Sequence, residues 1–211
     1  MYFSCNVSFS SLPVFLPTIL EDMGFTSVNA QGLTAPPYFL AFLATLVTTW
    51  VADRLQQRGL VVVIFSIIGA VGYLLLAISA DVYVRYAGVF LAALGVFPCI
   101  ANILPWTVNN QGSDTRRGMG IVIMNVIGQC GPLLGTNVFP SSDSPRYVKG
   151  QSICAAFMFF NMFLTLGLRT LLVWENKKLD EKYGKKVGRA GAGEKVRTGE
   201  ENFGAEFRYV L

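Results

Sequence analysis

The chain has 211 residues, of which 53% are hydrophobic and only 14% charged, with a net charge of +4 and no histidine. Soluble domains carry about a quarter of their residues as charges, so an ordinary soluble fold is excluded. Without histidine the chain supplies no His-ligated haem, no His-box iron centre and no His-based proton relay.

The charges are crowded. Beyond Trp174 stand nine Lys or Arg and seven acids, which leaves eight basic and six acidic residues for the first 174 positions. A run of roughly 18 or more apolar residues with few charges reads as a membrane span. Six such runs follow one another, near residues 2–20, 30–52, 60–79, 83–108, 119–139 and 152–174. The expected product is an all-α, integral, multi-pass membrane protein. A six-helix transmembrane domain covers 1–174, and a largely flexible cytoplasmic tail covers 175–211. The basic excess then serves orientation in the lipid bilayer, and no nucleic-acid partner is expected.

In the first span, Asn6, Ser10, Pro13, Pro17 and Glu21 fall on one stripe at about 100° per residue. No basic stretch precedes this span, so it does not read as a cleavable signal. Glycosylation of the sequon Asn6-Val7-Ser8 is not expected inside a span. The second span aligns Gln31, Thr34, Tyr38, Thr45 and Thr49. After it, WVADRLQQRG concentrates Asp53, Arg54 and Arg58 in one short linker. The third span shows no comparable polar stripe. The fourth aligns Gly88, Gly95, Pro98, Asn102, Trp106 and Asn109.

The fifth span is the most differentiated. Gly120, Gly128, Gly131 and Gly135 form a narrow face that lets another backbone approach closely. Asn125, Gln129, Pro132 and Thr136 form an adjacent polar face. Ile123, Val126, Ile127, Cys130, Leu133 and Leu134 make a lipid-suited side. The sixth span has no polar stripe, and WENKKLDEKYGKK continues it as a short interfacial helix. The following GRAGAGEKVRTGEEN cannot bury a core, whereas the closing FRYVL is apolar enough to dock on the protein.

Orientation follows from the basic residues of the linkers. Arg54, Arg58, Arg116 and Arg117 share a side with the tail, against Arg85, Arg146 and Lys149 on the other. With the first six basic residues of the tail the bias is ten to three, so both chain ends are expected to be cytoplasmic. Cys5, Cys99, Cys130 and Cys154 lie in apolar runs and give neither a disulfide framework nor a metal-ligand spacing. No metal and no cofactor is expected.

Polar side chains in spans normally face a cavity or a partner helix. The spans read polar, polar, apolar, and then the same again, with the third helix of each set peripheral. Three spans reverse the chain's direction, so the two sets form inverted three-helix repeats, a common transporter plan. On this reading Asn6, Tyr38, Asn102, Trp106, Asn125 and Gln129 border a substrate cavity. Individual polar residues that merely bridge helices remain the other reading.

The stretches FLPTILEDMGF, PPY at residues 36–38, ADRLQQRG, PWTVNNQGSDTRRGMG, NVIGQCGPLLG, FPSSDSPRYVKG and FRYVL cover nearly the whole chain. Together they resemble the C-terminal half, helices seven to twelve, of the major facilitator superfamily. The similarity is greatest to the fungal allantoate permease-type anion:cation symporters. The resemblance implies that Asp53, Arg54 and Arg58 belong to a cytoplasmic latch between two halves of a carrier. In that motif the acid complements a helix N-terminus and the arginines bind carboxylates and carbonyls. Thr49 stands where a Gly is usual, and Gln56 and Gln57 replace a Gly and a basic residue, which implies a weakened latch. A plain positive-inside loop remains the alternative.

The resemblance further implies plasma-membrane localisation and a small organic anion as substrate, with protons as the candidate coupling ion. It also implies a partner half, either a missing N-terminal six-helix unit or a second copy. Two readings from another class stay open, a non-transporting membrane partner or sensor and a truncated, inactive gene product. No nucleophile–base pair or metal cluster points to an enzyme.

Overall fold

The computed structural model describes every residue except 23, 25, 112, 145 and 185–206. Among the described residues seven α-helices follow in order, α1 (Tyr2–Asp22), α2 (Ser27–Leu55), α3 (Arg58–Ile78), α4 (Val82–Asn109), α5 (Asp114–Gly128), α6 (Cys130–Gly135) and α7 (Val148–Tyr183). Only a one-residue break at Gln129 separates α5 from α6, so the apolar helices amount to six membrane-length spans. Helices are what lipid demands, because every backbone N–H and C=O must be paired within the segment.

The contacts between helices obey a two-fold pattern. The first helices of the two units, α1 and α4, pack on each other, as do the third helices, α3 and α7. The contact of α2 with α4 is matched by that of α6 with α1, and the contact of α3 with α4 by that of α7 with α1. Three spans of alternating direction make such units antiparallel, so the architecture is that of inverted three-helix repeats.

The closest approach joins α3 to α4. A Cβ on Gly95 would lie 2.2 Å from the Cα of Gly69, and one on Gly72 would lie 2.3 Å from the backbone nitrogen of Ala92. Gly88 faces the carbonyl of Gly72 across the same seam. Without a hydrophobic driving force between helices in lipid, such close approach supplies the attraction through dispersion. Gly88 and Gly95, read from the sequence as part of a cavity-facing stripe, therefore turn toward α3.

The third helix of the first unit is peripheral on one side only. Val62, Ser66, Gly69, Ala70, Tyr73 and Leu76 are buried, while Ile64, Ile67 and Val71 face outward. The amide of Asn161 on α7 donates to Ser66 Oγ at 2.8 Å and fastens α7 to α3. Tyr73 donates its hydroxyl to the carbonyl of Ser8 at 2.7 Å, which ties α3 to α1.

At the end of the bundle away from the tail, Arg146 donates to the carbonyls of Ile78 and Ser79 at 3.0 and 3.3 Å and satisfies the end of α3. At the other end α7 runs past Trp174 to Tyr183 without interruption. The change near Trp174 is thus one of surroundings, from apolar to charged, and not of backbone. Most of the stretch expected to be flexible, residues 185–206, lies outside the described residues.

The glycine seam generates a direct test. Replacing Gly95 by Leu forces backbone apart and should cost at least about 1–3 kcal/mol. The expected outcome is loss of monodisperse protein on size exclusion in detergent. Gly167, with nothing within 4 Å of a Cβ, should accept Leu without loss of yield.

Candidate functional site

The site expected on the fifth span begins with a proline. Pro132 has no N–H, so the carbonyl four residues earlier, that of Gly128, has no intrahelical donor. The helix breaks there, and Gln129 sits between α5 and α6. Asn6 on α1, 4% exposed, donates its side-chain amide to that carbonyl at 3.1 Å. A second case of the same device occurs on α2. Pro37 leaves the carbonyl of Leu33 without a donor, and the Tyr86 hydroxyl on α4 donates to it at 3.0 Å. In both units a proline frees a carbonyl of the second helix, and the first helix of the other unit supplies its donor.

Glycines allow α1 to come close enough for this. A Cβ on Gly131 would meet the Phe3 carbonyl at 2.7 Å, and one on Gly135 would meet Ser10 Oγ at 2.3 Å and the Val7 carbonyl at 2.4 Å. Gly128 lies against the Tyr2 ring. Gly120, assigned to the same face from the sequence, meets only the Gln111 side chain, no closer than 3.9 Å. The seam against α1 runs from Gly128 to Gly135.

The polar face beside that seam is open. Gln129 and Thr136 are exposed and Asn125 is half-buried. Asn125 donates one amide hydrogen to the Ile121 carbonyl at 2.9 Å, which leaves its second N–H and its Oδ1 for other partners. Ile123, Val126, Ile127, Leu133 and Leu134 are exposed, as expected of an outward apolar side. On α2, Phe39, Phe42, Val47 and Trp50 are exposed as well.

Tyr38 of α2 packs through aromatic rings. Its ring stands edge-on to Phe97 of α4 at 5.5 Å, and Phe9 of α1 stands edge-on to Phe97 at 5.2 Å. The Tyr38 hydroxyl has no hydrogen-bond partner among the described residues. The sequence reading did not single out Phe9 or Phe97. Aromatic residues occur throughout these spans, and nothing local distinguishes one that meets Tyr38.

Two candidates lie elsewhere. Asn102 is fully buried and donates to the Pro98 carbonyl of its own helix at 2.8 Å. Trp106 is 1% exposed, lies over Gly59 at the start of α3, and donates its indole N–H to the Val210 carbonyl at 2.8 Å. Neither reaches the open face, because the stripe that carries them packs inward at the tail end of the bundle. A groove of about 380 Å³ opens near Leu134, Asn137, Pro140, Asp143 and Lys149, and none of the six candidate substrate residues lines it.

The linker charges divide by role. Arg58 is buried and pairs with the Asp53 carboxylate, while the Asp53 side chain stays half exposed. Arg54 lies over the Trp50 ring at 5.5 Å instead of joining that pair. Gln56 adopts a left-handed conformation (φ 54°) at the end of α2, the region that favours glycine, and it stands where the related motif carries one. Gln57 accepts from Arg169 of α7 at 3.2 Å. Among the described residues no cluster of His, Cys, Asp or Glu could hold a metal.

The family described as the MFS_1 like family matches residues 1–174. Among curated proteins, the chain is 32% identical over 176 residues to the high-affinity nicotinic acid transporter of Saccharomyces cerevisiae, which covers 83% of this chain and 33% of that protein. It is 31% identical over 182 residues to the MFS transporter prlL of a fungal species, covering 84% of this chain and 37% of that one. A third relative, the MFS-type transporter cnsO of Penicillium expansum, is 30% identical over 145 residues, or 66% of this chain and 28% of the relative. The chain thus spans about a third of the length of these curated relatives.

The role of Asn6 is separable from its bulk by a double-mutant cycle. Asn6→Ala leaves a buried carbonyl unpaired and should destabilise the protein by about 1–3 kcal/mol. In a Pro132→Ala background the intrahelical bond returns, and the same change should cost less than half as much. Thermal unfolding followed by tryptophan fluorescence measures both arms, and equal losses in the two backgrounds would remove the carbonyl from the explanation.

Proposed function

Since the chain belongs to the MFS_1 like family, in the major facilitator superfamily of membrane transporters, we propose that it is one six-helix body of a secondary carrier for a small organic anion. The carrier works by alternating access, in which this body rocks against a second six-helix body around a site near the membrane midplane. The observation that carries this reading is the uncovered side of α2, α5 and α6. Gln129 is exposed there and Asn125 is half-buried beside it, while α2 carries the buried, partnerless Tyr38 hydroxyl. A relative named for nicotinic acid supports a carboxylic acid as the substrate class. The greater length of the relatives supports a second body as the missing wall.

The amides of Gln129 and Asn125 are the anion's hydrogen-bond donors in this proposal, with Tyr38 and the Phe9–Phe97 pair forming an apolar side for its ring or chain. Asn6 and Pro132 act behind them by holding the helix break at Gln129. Asn102 and Trp106 support α4 and are not assigned to the substrate. Protons are the proposed coupling ion, and the plasma membrane the proposed location. The Asp53–Arg58 pair is the latch, with the half-exposed Asp53 side chain left to meet the other body.

Two measurements test this. When the chain is co-expressed with the first half of a relative, Gln129→Ala should lower the affinity for nicotinate or a similar carboxylate about ten- to a hundredfold, the loss of one hydrogen bond to a charged group. Surface expression should be unchanged. Unaltered uptake at equal expression would take Gln129 out of the site. With both chain ends cytoplasmic, a cysteine placed at Gln57 should label with an impermeant maleimide only after permeabilisation, and labelling of intact cells would reverse the orientation.

A further inference from the structure

Residues 207–211, Phe-Arg-Tyr-Val-Leu, lie against the tail end of the bundle and are held by a chain of specific bonds. Arg208 donates to the Asp180 carboxylate at 2.7 Å and to the Gly184 carbonyl at 3.0 Å. Asn176 of α7 grips the backbone of Tyr209 at both groups. Its amide donates to the Tyr209 carbonyl at 2.9 Å, and its Oδ1 accepts from the Tyr209 N–H at 2.8 Å. Asn110, which caps α4, grips Val210 in the same way, at 3.1 and 2.8 Å. The Val210 carbonyl also takes the Trp106 indole N–H, and the Leu211 carbonyl accepts from the N–H of Gly59 in the first turn of α3 at 3.1 Å.

The arrangement reads an extended backbone. Successive residues of an extended chain turn their groups to opposite sides. A grip on Tyr209 from α7 and on Val210 from α4 therefore means that the segment threads between these helices. A side-chain amide offers one donor and one acceptor, and so completes the pairing that a neighbouring strand would supply. Gly59 must be small here. A Cβ on it would lie 3.0 Å from the Trp106 ring and 3.4 Å from the backbone of Leu211.

We propose that residues 207–211 are an intramolecular strap. It fastens the tail ends of α3, α4 and α7 into one body and fixes the first turn of α3, from which Arg58 reaches Asp53. The strap acts on the mechanical unity of these three helices and does not depend on which substrate the protein carries. It is also the reason that Trp106 is buried, since the segment covers the indole that would otherwise face the aqueous boundary.

The test uses the full 211-residue chain in lipid nanodiscs, with Trp50→Phe and Trp174→Phe so that Trp106 is the remaining tryptophan. Deleting residues 207–211 should open Trp106 to quenching by iodide. It should also speed amide exchange at Gly59 and around Asn110 by roughly two- to tenfold, the shift in local opening expected from losing one ordinary hydrogen bond. A synthetic FRYVL peptide added to the deletion variant should restore both, and a scrambled peptide should not. Should the deletion aggregate, Asn110→Leu and Asn176→Leu carry the test, each speeding exchange at Gly59 and at residues 209–211 while the helical circular dichroism stays intact. Unchanged quenching and exchange in the folded variants would overturn the proposal.

Discussion

A carbonyl that has lost its donor inside a lipid bilayer must find another, and much of this molecule is arranged around that constraint. Pro132 frees the carbonyl of Gly128, and Asn6 reaches across from α1 to occupy it. The bond forms only because Gly131 and Gly135 let α1 lie directly on α6. A side chain at either glycine would hold the helices apart, and the freed carbonyl would stay in apolar surroundings unpaired. The helix break, the close packing and the polar pair are thus one feature. The second such pair, the Tyr86 hydroxyl on the Leu33 carbonyl freed by Pro37, places the same solution in the other three-helix unit.

Around these two proline sites the inner helices are closely packed. The α3–α4 seam brings Gly69, Gly72, Gly88 and Gly95 into backbone contact, and Asn161 ties α7 to it through Ser66. Helices packed so closely move together if they move at all. By contrast α2, α5 and α6 present long outward faces, and their buried contacts are largely with α4 and α1. The molecule therefore joins a closely packed inner set of helices to a more exposed outer set.

The tail end of the bundle gathers the charged and amide side chains. Asp53 pairs with Arg58, Gln57 accepts from Arg169, and Asn110 and Asn176 hold residues 209 and 210. These bonds are only partly buried, so each is individually modest. Their value is geometric. They connect the turn between α2 and α3, the end of α4 and the extension of α7 at sites where the apolar packing of the spans has ended.

The sequence by itself determined the six spans, the membrane setting, the pairing of helices into two units and the identity of the fifth span as the one with distinct faces. Those properties are local or periodic. Span length follows from the thickness of the bilayer, and faces follow from 3.6 residues per turn. It also marked FRYVL as a segment able to dock. Tertiary structure alone decided the partners. Asn6 and Trp106 looked alike as polar groups on stripes, yet one closes a broken helix and the other is sealed beneath residues 210 and 211. Gly120 looked like Gly131, yet only Gly131 meets another backbone. A stripe records the angle at which a side chain leaves its helix. What stands opposite depends on the tilt and depth of a neighbouring helix far away in sequence, and only the packing of the whole bundle fixes that.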